Sequence, residues 1–342
     1  MDNLEYIRMA QAYCGNTAPD FWRGKKVFIT GASGFVGSHL TKAVMQLGAT
    51  VTALVRDTVK RSLLYDLEDV ILVAGNVIDG RTLTRIISDY EPDIIFHLAA
   101  QAVVTKASRY PAEDFDTNCL GTWNLFQAIN NAEVVRPSIV VASSDKVYGD
   151  AKLPYTEDTL PVAEWPYEVS KLCEEMIALT YSRRFLIPVA ITRMANIYGP
   201  GDFTWNRLIP ETIMNILSEK SPAIRSDGKY WRDYLYVDDA VNAYILLAQH
   251  LHTFPEAYSK NVFNFSSPDN LSAIEVVQTI LRLMNSYRDP IIKNQASHEI
   301  RRQTVNYLRA TKTLGYEPNW TFEMGLEKTI EWYRKYHESL VR

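Results

Sequence analysis

Short β-branched runs alternate with longer segments of helical period through the first half of the chain, and this alternation limits the fold more than any other feature. The runs are apolar on both faces and occupy residues 27–30, 51–55, 70–73, 93–98, 139–143 and 189–192. Strands that are buried on both faces and spaced by helices form a parallel sheet covered on both sides. Ligands of such sheets bind beyond the carboxyl ends of the strands, so we expect the functional motifs there.

After Arg193 the pattern changes to loops with proline and glycine and to scattered helices, which indicates a second lobe. At 342 residues the chain exceeds the size at which one hydrophobic core stops growing. We predict an α/β protein with a doubly wound parallel sheet and a smaller C-terminal α/β lobe. The predicted parts are an N-terminal appendage at 1–24, a sheet domain at 25–195 with roughly 234–265, and a second lobe at 196–233 and 266–342.

Composition excludes several classes of function. The chain has 36 Lys and Arg against 40 Asp and Glu, so it offers no basic surface for a nucleic-acid backbone. Cys14, Cys119 and Cys173 lie far apart in sequence, without the close spacing of a zinc site or a redox pair. No run approaches about 18 apolar residues, and the polar start lacks the pattern of a secretory signal. We expect a cytoplasmic protein whose partners include neither nucleic acid nor membrane, and no bound metal.

The segment VFITGASGFVGSHL places Gly31, Gly34 and Gly37 between a predicted strand and a predicted helix. Glycines in this position let the turn and the helix N-terminus present free N–H groups to a pyrophosphate. The pattern therefore predicts a Rossmann-type domain that binds a nicotinamide dinucleotide. Further loop residues that we expect to contact the dinucleotide are Ser33, Phe35 and Val36.

The second strand ends in Val55, Arg56 and Asp57, where the adenosine ribose is expected. An acidic residue there hydrogen-bonds the 2′-hydroxyl of NAD, and an arginine accommodates the 2′-phosphate of NADP. The sequence leaves both cofactors open; we predict NAD, with NADP as the alternative. The predicted cofactor residues after the third and fourth strands are Asn76, Val77, Leu98, Ala99, Ala100 and Gln101.

Tyr167 and Lys171 lie one helical turn apart in WPYEVSK, so both side chains share one helix face. A phenol is a poor base at neutral pH, but a neighbouring ammonium favours the phenolate, and the same lysine can hold the nicotinamide ribose. The pair follows a strand that ends in Ser143, Ser144 and Asp145, whose side chains could hydrogen-bond a reacting hydroxyl. Each motif alone is weak evidence. The glycines, the serines and the Tyr/Lys pair, occurring in that order, together indicate an enzyme that uses a nicotinamide dinucleotide to oxidise a hydroxyl.

On these motifs the chain resembles the extended short-chain dehydrogenase/reductase superfamily, and within it the NAD-dependent sugar-nucleotide epimerases and dehydratases. Matching stretches include TGASGFVG, FHLAAQ, YEVSK, RMANIYGPGD and RDYLYVDDAV. The resemblance implies that the first lobe holds the cofactor, with Asn118 among its contacts, and that the second holds a nucleoside-diphosphate sugar. It also implies a homodimer formed through a four-helix bundle. The expected substrate contacts are Ser143, Asn196, Arg207 and Arg232.

The segment SSDKVYGD places Asp145 and Lys146 where 4,6-dehydratases carry an acidic pair, and the Asp–Lys combination looks most like the CDP-glucose 4,6-dehydratases. In that chemistry Tyr167 takes the proton of the sugar 4-hydroxyl, and a protonated Asp145 donates to the departing 6-hydroxyl. Lys146 is either the base at C5, the holder of a water, or a group that stabilises the enolate. The predicted catalytic residues are Ser144, Asp145, Lys146, Tyr167 and Lys171.

A sugar-nucleotide 4-epimerase is the alternative reading of the same residues. It shares the Tyr/Lys site but needs no acid at C6, so Asp145 and Lys146 argue for the dehydratase. A reductase that consumes NADPH is a further alternative, for which Arg56 gives some support. The base of the nucleotide and the 2-substituent of the sugar stay open.

Overall fold

The computed structural model describes residues 18–57, 61–255, 262–295 and 300–341. The first 17 residues of the predicted appendage at 1–24 therefore lie outside the described residues. The strands are β1 (Lys26–Thr30), β2 (Thr50–Val55), β3 (Ile71–Ala74), β4 (Ile94–His97), β5 (Ser138–Ala142), β6 (Val189–Met194), β7 (Asn196–Tyr198), β8 (Ala223–Ile224), β9 (Trp231–Tyr236), β10 (Val262–Phe265), β11 (Asn270–Ser272) and β12 (Ile291–Ile292).

Helices separate most of these strands, as the alternation in the sequence predicts. They are α1 (Ala18–Trp22), α2 (Phe35–Gln46), α3 (Gly80–Tyr90), α4 (Val104–Arg109), α5 (Pro111–Phe115), α6 (Gly121–Asn131), α7 (Pro166–Phe185), α8 (Leu208–Leu217), α9 (Val237–Thr253), α10 (Ala273–Leu283), α11 (Leu308–Leu314) and α12 (Phe322–Val341). A π-helical turn (Asp116–Leu120) joins α5 to α6, and a 3₁₀ turn (Asp145–Tyr148) follows β5.

Seven strands form one sheet in the order β10-β6-β5-β4-β1-β2-β3, and every neighbouring pair in it is parallel. The chain builds outward from β1 through β2 and β3, then returns to the other side of β1 and adds β4, β5 and β6. The order therefore reverses between β1 and β4, and such a switch point leaves a crevice at the carboxyl ends of the strands. The predicted doubly wound parallel sheet is confirmed.

Both faces of the sheet are covered, because successive residues of each strand point to opposite sides. In β1, Val27 and Ile29 join the core built with α2 and α9, whereas Phe28 joins the core built with α3, α6 and α7. All three side chains are buried. This two-sided burial explains why the strands read as continuous apolar runs rather than as an alternating pattern.

The second half of the chain adds two small sheets. One has the order β11-β9-β7 and the other pairs β8 with β12. Strand β10 lies in the predicted range 234–265 and returns to the large sheet, where it pairs with β6. None of the described helices is long and apolar enough to cross a membrane.

Packing brings together two cysteines that the sequence keeps apart. Cys119 on the π-helical turn lies beside Cys173 on α7, and its Sγ donates to the carbonyl of Ser170 at 3.6 Å. Both are free thiols. Burial raises the pKa of Cys119 to about 12, and the neighbouring Cys173 adds to the shift. Sequence spacing alone did not indicate this pair, because its members lie on separate helices.

Candidate active site

A cavity of ≈ 470 Å³ lies where β4, β5 and β6 end, between the large sheet and the second half of the chain. Its walls include the residue after β4 and those after β5, together with the first turn of α7 and the loop before α8. The sequence-predicted residues that it brings together are Val36, Leu98, Ala100, Ser143, Ser144, Asp145, Lys146, Tyr167, Lys171, Asn196, Arg207 and Arg232.

The other predicted cofactor residues do not line this cavity. They are Gly31, Ser33, Gly34, Phe35, Gly37, Arg56, Asn76, Val77, Ala99, Gln101 and Asn118. Most of them surround the ends of β1, β2 and β3, on the far side of the switch point. Their contact with a cofactor stays a prediction, but the structure shows what several of them do within the protein.

The glycine loop separates into two glycines that the fold requires and one that it does not. Gly31 has φ +74°, and a Cβ there would lie 2.7 Å from the backbone nitrogen of Ala99. A Cβ on Gly37 would lie 2.1 Å from the carbonyl oxygen of Gly31. Gly34 has φ −77°, and its Cβ would be 3.1 Å from the same oxygen. The fold therefore tolerates a side chain at Gly34 best of the three.

Helix α2 begins directly after Gly34, and no side chain caps its first turn. The N–H groups of that turn lie beside the glycine loop at the switch point. An uncapped helix N-terminus reached through glycines is the arrangement that holds a pyrophosphate. These residues fit the diphosphate of a dinucleotide.

At the end of β2, Arg56 forms an ion pair with its neighbour rather than standing alone. Its Nε donates to Oδ2 of Asp57 at 2.6 Å, and both side chains are more than half exposed. Asp57 thus partly neutralises the Arg56 charge that the 2′-phosphate of NADP would need, which favours NAD.

Asn118 connects the loop after β4 to helix α7. Its Oδ1 accepts from the backbone of Gln101 at 2.8 Å, and its Nδ2 donates to Oγ of Ser170 at 2.9 Å. The side chain is fully buried. Asn118 therefore links the loop after β4 to the helix that carries Tyr167 and Lys171.

Tyr167 stands in the first turn of α7, directly after Pro166, and its side chain is almost fully buried. The Glu168 carboxylate caps the helix start by accepting from the backbone of Glu164 and Trp165 at 3.1 and 3.3 Å. Burial raises the pKa of the Tyr167 phenol, whereas Lys171 and a hydrogen bond with Ser144 oppose the rise. The net effect is a raised pKa, in which burial outweighs the attraction of Lys171.

Lys171 is buried one turn further along the same face of α7. Its Nζ donates to the carbonyl of Ala142 at 2.6 Å and to Oε2 of Glu174 at 2.6 Å. Burial opposes the charged form, but attraction to Glu174 and Tyr167 outweighs it, so the pKa of Lys171 lies above its ordinary value. The residue is an ammonium at neutral pH.

The 3₁₀ turn after β5 holds Asp145 in the cavity wall. Ser144 starts this turn: its Oγ accepts from the backbone of Lys146 at 3.2 Å and donates to Oδ1 of Asp145 at 3.3 Å. Asp145 is 4% exposed, and burial raises its pKa although Lys146 and Arg232 oppose the rise. The raised pKa favours the protonated carboxyl, which is the form that can act as an acid.

Cations outnumber carboxylates around the cavity, which suits a substrate with a diphosphate. Arg207 pairs with Asp202 within its own loop, with 3.0 Å between Nη1 and Oδ2. Arg232 is nearly buried and carries its charge toward Asp145. The charged wall residues are Lys146, Lys171, Arg207, Arg225 and Arg232 against Asp145, Asp202 and Glu211.

Sequence reasoning missed three residues that hold predicted site side chains in place. Glu174 contacts Lys171, and Glu175 accepts from Oγ of Ser143 at 2.5 Å while it pairs with Arg193. Gln303 accepts a hydrogen bond from Nζ of Lys146. Glu174 had a signal, because it lies three residues after Lys171 on the helix. Gln303 had none, because it comes from a distant segment.

Comparisons of the sequence with a family model and with individual proteins agree on one family. A family model described as the NAD dependent epimerase/dehydratase family matches residues 27–263. The dTDP-glucose 4,6-dehydratase 1 of Escherichia coli K12 is 29% identical, over 90% of this chain and 92% of its own length. The CDP-glucose 4,6-dehydratase of Salmonella typhimurium is 27% identical over 92% of each.

Two solved structures show the same fold. The dTDP-glucose 4,6-dehydratase of Bacillus anthracis in complex with NAD has a TM-score of 0.78 at 26% identity, covering 92% of this chain and 98% of that one. The UDP-glucose 4-epimerase of Thermotoga maritima with UDP-glucose has a TM-score of 0.82 at 27% identity, covering 91% and 99%. The cofactor is NAD, the first of the two that Arg56 and Asp57 left open.

The contrast between Gly34 and Gly37 predicts two different defects. Gly34→Val should still fold, with a smaller loss of stability than Gly37→Ala because its Cβ would lie 3.1 Å from the carbonyl oxygen of Gly31 rather than 2.1 Å. It should bind NAD roughly tenfold more weakly or worse, because the added side chain would meet the ligand. Gly37→Ala should lower the melting temperature, because its Cβ would overlap a backbone carbonyl. Calorimetric titration with NAD and thermal unfolding measure the two effects.

Gly80→Ala is the matched control, since the nearest atom to its Cβ is 3.5 Å away and α3 lies outside the site. It should change neither NAD affinity nor stability. Unaltered NAD affinity in Gly34→Val would show that the loop does not hold the dinucleotide.

Proposed function

The chain belongs to the NAD-dependent epimerase/dehydratase family, and from this premise we propose that it is a nucleoside-diphosphate-hexose 4,6-dehydratase. The reaction converts the NDP-hexose to the NDP-4-keto-6-deoxyhexose and one water. The observation that carries the proposal is the Asp145–Lys146 turn, which puts a buried acid and an amine into the cavity that also holds Tyr167. A 4-epimerase needs no acid at C6, so this pair favours the dehydratase over that alternative.

Tyr167 begins the reaction by taking the proton of the sugar 4-hydroxyl. The Lys171 ammonium lowers the cost of the phenolate, and Ser144 stabilises it by hydrogen bonding. NAD, held by the glycine loop and Lys171, would supply the hydride-transfer chemistry, accepting hydride from C4 and donating it to C6. Lys171 has one N–H donor left for the nicotinamide ribose, because an ammonium carries three and two are used by Ala142 and Glu174.

Oxidation at C4 makes the proton at C5 acidic, and elimination of water then needs an acid at C6. Asp145 is that acid, since burial keeps its carboxyl protonated at higher pH than an exposed aspartate. Lys146 lies next to it, with its amine held by Gln303, and takes the C5 proton, directly or through a water that it orients. A proton returns to C5 when the hydride reaches C6. The bond from C6 to oxygen breaks as the proton of Asp145 passes to the departing hydroxyl.

Substrate binding is assigned to the second half of the chain. We propose that residues 25–195 with roughly 234–265 bind the cofactor and that 196–233 and 266–342 bind the sugar nucleotide. Return of β10 to the large sheet supports this division. Asn196, Arg207 and Arg232 face the cavity and would hold the diphosphate, and Ser143 would contact the sugar.

The test is incubation with CDP-, dTDP-, UDP- and GDP-glucose, followed by mass spectrometry. We expect one of them to lose the mass of one water. The Asp–Lys pair favours CDP-glucose, whereas the relatives of higher identity include dTDP-glucose dehydratases. Inversion at C4 with no loss of water from any substrate would establish the 4-epimerase, the alternative that the Thermotoga structure supports.

Asp145→Asn should separate the two halves of the reaction. An amide cannot donate the proton that the 6-hydroxyl needs, so elimination should fall by roughly a hundredfold or more, while C4 oxidation continues. The absorbance of reduced nicotinamide should then build up after substrate is added. Stopped-flow absorbance and product mass measure the two steps.

Asp150→Asn is the control, because this carboxylate is exposed in the same loop; it should turn over normally. Exchange of the C5 proton with deuterated solvent should persist in Asp145→Asn and disappear in Lys146→Ala if Lys146 is the base. Normal elimination in Asp145→Asn would remove Asp145 from the mechanism.

We also propose that two copies associate through α6 and α7, which pack against each other within the chain. Large apolar side chains are exposed on this surface, and a four-helix bundle with a second copy would cover them. The residues concerned are Leu120, Trp123 and Met176.

Trp123→Glu should convert the dimer to a monomer, because the charge would be buried in the bundle. Light scattering after gel filtration should show the mass fall to 39.0 kDa. Tyr287→Glu, a fully exposed aromatic residue elsewhere, should leave the dimer intact. A monomeric unaltered protein would contradict the proposal.

A further inference from the structure

Helix α7 carries a third ionisable side chain on the face that holds the catalytic pair. Tyr167, Lys171 and Glu174 are spaced by four and three residues, so they follow one another along one side of the helix. Glu174 is completely buried. A carboxylate in such a position is costly unless a cation faces it.

The cation that faces Glu174 is the catalytic lysine. Oε2 of Glu174 lies 2.6 Å from Nζ of Lys171, and the same Nζ donates to the carbonyl of Ala142. These two contacts use two of the three N–H donors of the ammonium. Glu174 thus fixes the direction of the donor that remains for the cofactor.

The histidine beside Glu174 does not share this task. Nε2 of His97 lies 3.9 Å from Oε1 of Glu174, and it hydrogen-bonds Oγ1 of Thr122 at 2.9 Å. Thr122 gives its own proton to the carbonyl of Asn118, so Nε2 must be the donor in that bond. Burial lowers the pKa of His97 to about 3, which leaves the ring neutral.

Oε1 of Glu174 makes no hydrogen bond of normal geometry among the described residues, although Thr122 lies close enough to favour its charged form. Lys171 makes the larger contribution that favours the carboxylate. Burial raises the pKa of Glu174 to about 7, with Lys171 opposing the rise. Above that pH the charge of Glu174 is present, and below it the charge is lost.

The groups that surround Glu174 come from several elements, and Lys171 is the cation among them. Tyr167 and Glu175 lie on α7 itself, and neutral His97 lies on β4. The remaining titratable groups that interact with Glu174 or Lys171 are Cys119 on the π-helical turn, Asp114 on α5 and Tyr244 on α9.

We propose that Glu174 is a positioning residue whose carboxylate holds the Lys171 ammonium and offsets its field at Tyr167, and so sets the pH at which Tyr167 becomes a base. This rests on the proposed role of Tyr167 in C4 oxidation. Lys171 favours the phenolate and Glu174 disfavours it. Burial raises the pKa of this phenol most, and Ser144 and Arg207 also favour the phenolate. Within that setting, the opposition of Glu174 to Lys171 shifts the acid limb of the reaction.

The direct test is the titration of Tyr167 in the NAD complex by NMR of protein labelled with ¹³C at tyrosine Cζ. Tyr167→Phe identifies its resonance among the 20 tyrosines. Glu174→Gln keeps the shape and removes the charge, so the pKa of Tyr167 should fall by about one unit. Glu174→Asp withdraws the carboxylate by one methylene and should give an intermediate value.

Glu168→Gln is the matched control, because it removes an equal charge from the same helix without touching Lys171. It should leave the pKa of Tyr167 unchanged. The acid limb of kcat/KM should move to lower pH in Glu174→Gln by the same amount as the NMR value, and a purely structural role would not move it.

An unchanged pKa of Tyr167 in Glu174→Gln overturns the proposal. If Glu174→Gln does not fold, Glu174→Asp decides in the same way: a lowered pKa supports the proposal and a wild-type value overturns it. The titration measures a property of the NAD complex, so failure of the dehydratase assignment would appear separately, in the substrate panel.

Discussion

Parallel pairing of β1 with β4 is the constraint on which the rest of the structure depends. Because every strand of the large sheet points the same way, all their carboxyl ends lie on one edge. The order reverses between these two strands, so the loops that follow them diverge to opposite faces and leave a crevice. The glycine loop and the residues after β4 and β5 meet at that edge because of this topology.

Burial gives the site its chemistry and also creates its main energetic cost. Asp145, Lys171 and Glu174 are almost entirely removed from water, and each would be unfavourable as an isolated charge. Removing one partner of a buried ion pair typically costs about 3–5 kcal/mol, because the other charge is left uncompensated. The site therefore works as a connected set, in which the protonation of one group depends on its neighbours.

A second buried ion pair, between Arg193 and Glu175, lies next to these charged side chains. Arg193 at the end of β6 makes two hydrogen bonds to Glu175, at 2.8 and 2.6 Å, and Glu175 also accepts from Ser143. The pair ties α7 to β5 and β6. Adjacent glutamates on one helix thus have separate tasks: Glu174 pairs with Lys171, and Glu175 fixes the helix on the sheet.

The amino-acid sequence determined the features that depend on local spacing. Runs apolar on both faces predicted the parallel sheet, glycine spacing predicted the tight turn between β1 and α2, and the four-residue separation of Tyr167 and Lys171 predicted their common face. Only the tertiary structure decided which distant side chains contact the predicted site residues and how burial shifts their pKa values. Gln303 reaches Lys146 across 157 residues, and Glu174 is buried against β4 and α6, because packing of distant segments sets both proximity and desolvation. Protonation depends on that desolvation, which no local pattern records.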